Sequence, residues 1–412
     1  MFNYLSTEKG KNMENKFCGN SDKKESFGRV SHLKPFASTP VMQNKKEEVA
    51  CCGSPPGPEY SRFARPGYEI CGFVGEFIDT AVGPVPKIRT KLSMADHAMS
   101  VLARFGIGRD SYGIAPGIYC TGTPAFDSPV LVTANYKLTF DALRMELSSV
   151  DAWILVLDTR GINVWCAAGK SLFSTEEVIK RVKVSGLDKI VNHRELILPQ
   201  LSATGVSAID VKKGCSFRVI WGPIRANDIK RFLNAGKKAD ESMRRVTFTI
   251  SERLVLVPVE LSFLVKPTLV ILLGIFLLSG IGVEIFSIKN AWSRGIMAAF
   301  AYATGIFSGA VVVPAILKWL PGKAFSIKGA VTGIIAAIFV LMTFKDVANT
   351  WELTALFLCT TAVSSYLGMN FTGSTPYTSP SGVEKEMRKA IPVQALAGFV
   401  SIVLWIGAAF IH

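Results

Sequence analysis

Hydrophobic and polar positions divide the chain into three regions. Residues 1–58 are rich in Lys, Glu, Asn and Ser and show no apolar period. From residue 59 to about 260, short apolar runs alternate with amphipathic stretches, and beyond residue 267 the apolar stretches become long. The pattern predicts a disordered tail over 1–58, an α/β domain over 59–260 and an all-α transmembrane domain over 261–412.

Within the α/β region, strand and helix patterns follow one another in turn. The strand candidates are Val130–Ala134, Trp153–Leu157, Glu195–Leu198 and Phe217–Trp221. The helical stretches between or after them are Phe140–Leu147, Thr175–Ser185 and Asn227–Leu233. Such alternation predicts a parallel, doubly wound, Rossmann-like sheet. Sheets of this kind bind their ligands beyond the carboxyl ends of the strands.

The C-terminal region contains five apolar stretches of nearly membrane-spanning length. They cover residues 267–286, 296–317, 327–344, 351–368 and 391–411. The links after the second and fourth stretches carry more Lys and Arg than the other two. Because basic links favour the cytoplasmic side, we expect a multi-pass protein of the cytoplasmic (inner) membrane, with the α/β domain in the cytoplasm and the C-terminus outside.

Composition and charge narrow the functional classes. Hydrophobic residues make up 49% of the chain, mean hydropathy is positive, and the formal net charge is +14. The basic residues are scattered rather than interleaved with aromatic residues, which favours membrane association over nucleic-acid binding. The eight cysteines include no CxxC pair, which argues against a zinc ribbon, a ferredoxin cluster or a disulfide framework.

Residues 152–170, AWILVLDTRGINVWCAAGK, carry the strongest chemical signal. A predicted strand ends in a turn, and a short segment then presents a single cysteine, Cys166. Gly169-Lys170-Ser171 resembles part of a phosphate-binding loop, but Val164 stands where that loop needs a glycine. An NTPase is therefore disfavoured. A buried, purely structural role for Cys166 remains the alternative at this point.

The segment NVWCAAGK at 163–170 resembles the signature of the corrinoid proteins of mercury methylation, the HgcA family. Further similar segments are GPVPKIRTKLSMADHAMSVLARFGIGR, SPVLVTANYKLTFDALR, LDTRGINVWCAAGK, NHRELILPQLSATGV and WGPIRANDI. The same segments resemble the large subunit of the corrinoid iron–sulfur protein of the acetyl-CoA pathway. The resemblance covers residues from about 68 to about 235. The membrane region that follows is typical of the mercury-methylating family.

The resemblance implies a cobalamin-type corrinoid, bound base-off at the strand ends, with Cys166 as lower axial ligand of the cobalt. Asp96-His97 does not have the D-x-H-x-x-G spacing of corrinoid proteins that use a histidine ligand. The residues that the resemblance places at the cofactor are Thr133, Asn135, Asn163, Val164, Trp165, Cys166, Ala167, Ala168, Gly169, Lys170 and Gly205.

The function that the resemblance implies is enzymatic methyl transfer from methyl-Co(III) to inorganic Hg(II), which forms methylmercury. A thiolate is a soft, strongly donating cobalt ligand and should make the methyl group more nucleophilic. The implied partners are a ferredoxin-like protein with two 4Fe–4S clusters (HgcB) and a methyl-donor methyltransferase or methyl-pterin. The adjacent thiols of Cys51 and Cys52 are a candidate relay for Hg(II), or else an incidental pair in the tail.

Two other functions remain open at this point. The first is a corrinoid methyl carrier in one-carbon or acetyl-CoA metabolism. The second is a non-catalytic membrane transporter or sensor with an α/β regulatory domain. A corrinoid bound to the purified protein would distinguish the methyl-transfer functions from the second alternative.

Overall fold

The computed structural model describes residues 66–67, 72–371 and 380–411. These residues form two compact units. The α/β unit contains residues 72–100 and 110–245, and the helical unit contains residues 101–109 and 246–411. The predicted tail at 1–58, with Cys51 and Cys52, lies outside the described residues. The domain boundaries expected at residues 58 and 260 stay predictions.

The α/β unit is built on a sheet of seven strands in the order β1-β2-β3-β5-β4-β6-β7. The strands are β1 Val74–Thr80, β2 Gly83–Ile88, β3 Gly117–Thr121, β4 Val130–Ala134, β5 Ala152–Leu157, β6 Glu195–Leu198 and β7 Arg218–Trp221. Strands β5, β4, β6 and β7 run parallel to one another. These four are the strands that the apolar runs predict, with bounds shifted by one residue at two of them.

The expectation of a wholly parallel sheet is wrong at the other edge. Strand β1 pairs antiparallel with β2, and β3 pairs antiparallel with β5. Only two residues, Ala81 and Val82, join β1 to β2, and a connection this short allows only an antiparallel hairpin. Gly83, at φ +107°, supplies the left-handed backbone that follows the turn. The sheet is therefore mixed, with a parallel half next to an antiparallel edge.

Helices cover both faces of the sheet. They are α1 Met94–Arg104, α2 Lys137–Glu146, α3 Val164–Gly169, α4 Thr175–Ser185, α5 Ala208–Cys215 and α6 Ile229–Asn234. Because side chains alternate along a strand, one set of strand residues packs with α3, α4 and α5, and the other packs with α2 and α6. The sequence pattern predicts α2, α4 and α6, and it misses α1 and α5.

The helical unit contains α7 Ile250–Leu254, α8 Val257–Gly280, α9 Ile288–Ile306, α10 Val313–Ile316, α11 Phe325–Phe344, α12 Thr350–Asn370 and α13 Pro380–Gly407. A π-helical turn, Phe307–Val312, joins α9 to α10. Among the described residues, four helical stretches are long and apolar enough to cross a membrane. They are Ile250–Gly280, Ile288–Ile316, Phe325–Phe344 and Gly382–Phe410.

The expected fourth span, 351–368, lies on α12, which is not among these four stretches. Its side chains include the buried Thr360 and Ser364, whose hydroxyl groups donate hydrogen bonds to the backbone oxygens of Ala301 and Gly329. Such polar residues lower the hydropathy of α12 but let it pack closely inside a helix bundle. The count of five spans is not confirmed, and the orientation in the membrane stays a prediction.

A buried ion pair ties one end of the helical unit together. Arg294 on α9 donates to Glu352 on α12 over 2.7 Å, and its guanidinium group also reaches the backbone oxygens of Ser279 and Trp405. A buried charge is stable only when it is paired and hydrogen-bonded. Arg294 is thus part of the packing of the unit. It lies between the first two apolar stretches of the sequence, where the comparison of basic residues in the links counts it as a free charge.

Candidate functional site

The connections between neighbouring strands change direction at β4. From β4 it passes to β5 on one side, and from β5 it returns to β6 on the other side of β4. The connections that follow β4 and β6 therefore lead away in opposite directions from the carboxyl ends of these two strands. In open α/β sheets this position is the usual ligand site. Cys166 lies on α3, the short helix that follows β5.

Asn163 holds Cys166 in the first turn of α3. The side-chain oxygen of Asn163 caps the helix by accepting the backbone N–H of Cys166 at 3.0 Å. The side-chain nitrogen of the same residue lies 3.5 Å from the Cys166 sulfur and donates to it. The thiol is partly exposed. One amide group therefore fixes both the helix start and the sulfur.

Asn135, directly after β4, holds the turn that precedes α3. Its side chain is fully buried. Its oxygen accepts the backbone N–H groups of Thr159 and Gly161, each at 3.0 Å, and its nitrogen donates to Asp158 at 3.3 Å. The Asn135 amide, at the end of the neighbouring strand, thus holds the turn at residues 158–161, which we call the cysteine turn. Thr133, in β4, is also buried. Cofactor contacts from these two residues stay predictions.

Glu177 supports the same turn from α4, and sequence reasoning missed it. Its carboxylate accepts the backbone N–H of Asp158 at 2.9 Å and pairs with Arg181. Ser174 caps α4 by accepting the N–H of Glu177, so the spacing is that of a capping box. The Glu177 carboxylate, however, reaches the cysteine turn. The Ser-x-x-Glu spacing marks the helix start but not this contact.

The small residues of the motif bring α3 close to its neighbours. Ala167 and Ala168 are buried in the core, and Val164 is buried with them. Gly205 lies so close to α3 that an added Cβ would come within 3.0 Å of the Ala168 Cα. The alanines therefore allow tight packing within the protein. Any contact between these residues and a cofactor stays a prediction.

The side chains on the outer side of α3 are accessible. Trp165 and Lys170 are half-buried, and Gly169 is exposed. Together with Asn163 and Cys166 they are the residues of the motif segment 163–170 that are not buried. The structure thus separates the motif into an accessible set and a packing set.

The other described cysteines of the α/β unit differ from Cys166. Cys120 is buried within β3, and burial raises the pKa of its thiol to about 12. Cys215 ends α5, at the amino-end edge of the sheet, and burial raises the pKa of its thiol as well. Cys166 is thus the described thiol at the carboxyl-end edge.

A separate cleft of about 600 Å³ lies at the opposite edge of the sheet. Glu195 and Arg218, the first residues of β6 and β7, line it together with Lys237. Both cations pair with the Glu195 carboxylate, at 2.5 and 2.6 Å. The hydrogen bond from Lys237 is the main cause that lowers the pKa of Glu195. The polar groups of this cleft are therefore largely paired with one another.

Comparisons with known proteins place similarity in this unit. Residues 109–233 match the family described as CO dehydrogenase/acetyl-CoA synthase delta subunit. The acetyl-CoA decarbonylase/synthase complex subunit gamma of Archaeoglobus fulgidus is 30% identical over 139 residues, which are 32% of this chain and 29% of that protein. The Methanopyrus kandleri subunit is 32% identical over 127 residues, 30% of this chain and 27% of that protein.

The subunit gamma 2 of Methanosarcina thermophila is 36% identical over 111 residues, which are 26% of this chain and 23% of that protein. The chain thus spans less than a third of the length of the relatives that it matches. The matched region includes β4, β5, α3 and Cys166. The similarity to acetyl-CoA-pathway proteins is therefore confirmed for the α/β unit. A relation to mercury methylation is not shown by these comparisons.

Proposed function

We propose that the α/β unit binds a corrinoid at the carboxyl ends of β4, β5 and β6 and serves in methyl transfer, with Cys166 as the protein ligand of the cobalt. The observation that carries the proposal is the partly exposed thiol, which Asn163 holds at the strand ends. The similarity to acetyl-CoA decarbonylase/synthase subunits supports the same conclusion.

The donor set fits such a cofactor. Among the described residues, no three His, Cys, Asp or Glu side chains lie close enough together to hold a bare metal ion. A corrinoid brings four ring nitrogens of its own, so a single axial ligand from the protein is enough. A thiolate is a soft donor that suits cobalt in this environment. The isolated Cys166 is therefore adequate as the only side-chain ligand.

The bound corrinoid would supply a cobalt atom that accepts and releases a methyl group. The residues of the chain have the task of holding the ligand in place. The Asn163 amide donates to the Cys166 sulfur and so orients it. Asn135 and Glu177 fix the turn ahead of α3. Trp165 is accessible as a contact beside the ring.

The acceptor of the methyl group has two candidates. The comparisons favour a methyl carrier in one-carbon or acetyl-CoA metabolism, since the relatives are named for that complex. The motif around Cys166 and the apolar helices that follow favour Hg(II). A thiolate from Cys166 would donate electron density to the cobalt, which would suit an electrophilic methyl acceptor such as Hg(II). A ferredoxin-like reductant and a methyl-pterin donor belong to this second candidate.

Cobalt binding tests the proposal directly. The full chain is purified in detergent, incubated with methylcobalamin and separated from free cofactor, and cobalt content and the X-ray absorption spectrum are measured. We expect stoichiometric cobalt with a Co–S distance in the natural protein. Cys166→Ala should lose the Co–S signal. Cys215→Ala, which changes a partly exposed thiol at the other edge of the sheet, should keep it.

An identical Co–S signal in Cys166→Ala, or no retained cobalt in the natural protein, would refute the proposal. The acceptor is then decided by product analysis. The cobalt-loaded protein is supplied with a reductant, a methyl donor and either HgCl₂ or an acetyl-CoA synthase. Methylmercury formed by the natural protein but not by Cys166→Ala identifies Hg(II) as the acceptor. Methyl transfer to the synthase alone identifies the one-carbon function.

A further inference from the structure

Four large apolar side chains are exposed at the end of α1 and in the turn after it. Val101, Leu102, Phe105 and Ile107 have exposed fractions between 38% and 58%. A contiguous exposed apolar patch of this kind marks an interaction surface. Arg104 lies among them and is half-buried. We name residues 101–109 the apolar turn.

The apolar turn is an ordered structure. The N–H of Ile107 donates to the oxygen of Leu102 at 2.9 Å, and the N–H of Gly106 donates to the oxygen of Ala103 at 3.2 Å. This pair of bonds is a Schellman motif, which closes the helix at a residue in the left-handed region. Gly106 occupies that position with φ +77°. The motif fixes the backbone at the end of α1, from which the apolar side chains extend.

The apolar turn belongs to the helical unit and contacts the beginning of its first long helix. A Cβ added at Gly106 would lie 2.6 Å from the hydroxyl oxygen of Ser262 on α8. A helix needs about 20 residues to cross the hydrocarbon layer of a bilayer. Counted back from Gly280, where α8 ends, about 20 residues reach Leu261, which directly precedes Ser262.

Ser262, and the apolar turn beside it, therefore lie at the border between the hydrocarbon layer and the headgroups. Interfacial segments bury their apolar residues at the boundary between headgroups and acyl chains, with basic residues among the phosphates.

We propose that the apolar turn is a membrane-interface contact, with Val101, Leu102, Phe105 and Ile107 inserted between lipids and Arg104 directed to lipid phosphates. The occupant of this surface is the bilayer in which the helical unit is embedded. The contact adds a point of membrane attachment outside the spanning helices. It lies in the segment just before the matched region begins at residue 109.

Lipid crosslinking tests this contact. The full chain is reconstituted into phosphatidylcholine vesicles, with and without phosphatidylglycerol. The vesicles also contain a photoreactive phosphatidylcholine that carries a diazirine near the glycerol end of its acyl chain. After illumination, lipid-modified peptides are counted by mass spectrometry. We expect the peptides that contain Phe105 and Ile107 to be modified several-fold more than those with Val184 and Ile209. These two are exposed apolar residues of α4 and α5 and serve as the matched control.

Phe105→Asn with Ile107→Asn should reduce crosslinking of the apolar turn several-fold while crosslinking at Leu269 and Val270 on α8 stays unchanged. The unchanged α8 signal shows that the variant is still folded and inserted. If the apolar turn of the natural protein crosslinks no more than the Val184 and Ile209 peptides, the proposal is wrong. That result would favour a protein partner for the exposed apolar side chains, because the vesicles contain no other protein.

Discussion

Replacement of Asn135 by Ala should loosen the turn that carries the cysteine helix without touching Cys166. Asn135 is fully buried, and its oxygen accepts the N–H groups of Thr159 and Gly161. The Thr159 hydroxyl has a second acceptor in the oxygen of Ile162, so it is not stranded by the change. The Asp158 carboxylate loses the Asn135 amide but still accepts the N–H of Arg160. The groups left without a partner are therefore two backbone donors.

The magnitude follows from their burial. Thr159 is fully buried, so its unpaired N–H costs about 1–3 kcal/mol. Gly161 is half-buried, so water can partly replace its lost bond at a cost of about 0.5–1.5 kcal/mol. Together these costs amount to about 1.5–4.5 kcal/mol. Since 1.4 kcal/mol is a factor of ten, local opening should become about 10 to 1,600 times more frequent.

Amide hydrogen exchange of the full chain in detergent measures this opening segment by segment. We expect faster exchange over residues 158–170 in Asn135→Ala, with much smaller changes in α2 and α6. Asn234→Ala is the control, because Asn234 is exposed at the end of α6. Unchanged protection over 158–170 in Asn135→Ala would show that Asn135 does not hold the turn.

Three further measurements test the packing and the charges of the α/β unit. Gly205→Ala should cost about 1–3 kcal/mol, seen as a lower thermal unfolding midpoint, because the new Cβ meets α3. Gly169→Ala, where a Cβ meets nothing within 4 Å, should stabilise instead, by up to about 1 kcal/mol; a loss equal to that of Gly205→Ala would contradict the packing. Burial opposes ionisation of Asp96, but the hydrogen bond from Lys137 and the charge of Arg144 outweigh it and hold the pKa of Asp96 well below its usual range. Asp96→Asn should therefore destabilise the unit at neutral pH, and denaturant midpoints of variant and natural protein should converge as the pH falls below about 4, the pKa of an unfolded aspartate; a constant difference down to low pH would exclude the ion pair as its cause.

Local patterns were sufficient for the elements of the parallel half of the sheet. Strands β4 and β6 have the bounds that their apolar runs predict, and α4 has the bounds of its helical period. The expected position of Cys166 on a short segment after β5 is also confirmed, and Asn163 caps the helix that this segment forms. These features depend on residues within one element or one turn of each other. Side-chain periodicity and capping spacing record such short-range relations directly.

The antiparallel edge could not be predicted in this way. Strand β3 is fully buried and lies beside β5, yet β4 stands between them in the chain. All five of its residues are buried, and they show no alternation of apolar and polar residues from which its place in the sheet could be predicted. The number of membrane-spanning helices was also hard to predict, because it depends on contacts between helices. Polar residues that bond inside the bundle give α12 the composition of a less apolar segment.

The sequence by itself determined which residues form the parallel strands, where the accessible cysteine stands, and that long apolar helices follow. Only the tertiary structure decided that Asn135 and Glu177 hold the cysteine turn, that Gly205 packs on α3, and that Arg294 pairs with Glu352. The partners in each of these contacts are 19 to 58 residues apart in the chain. Their meeting depends on strand order and helix packing, which propensities of single residues do not encode.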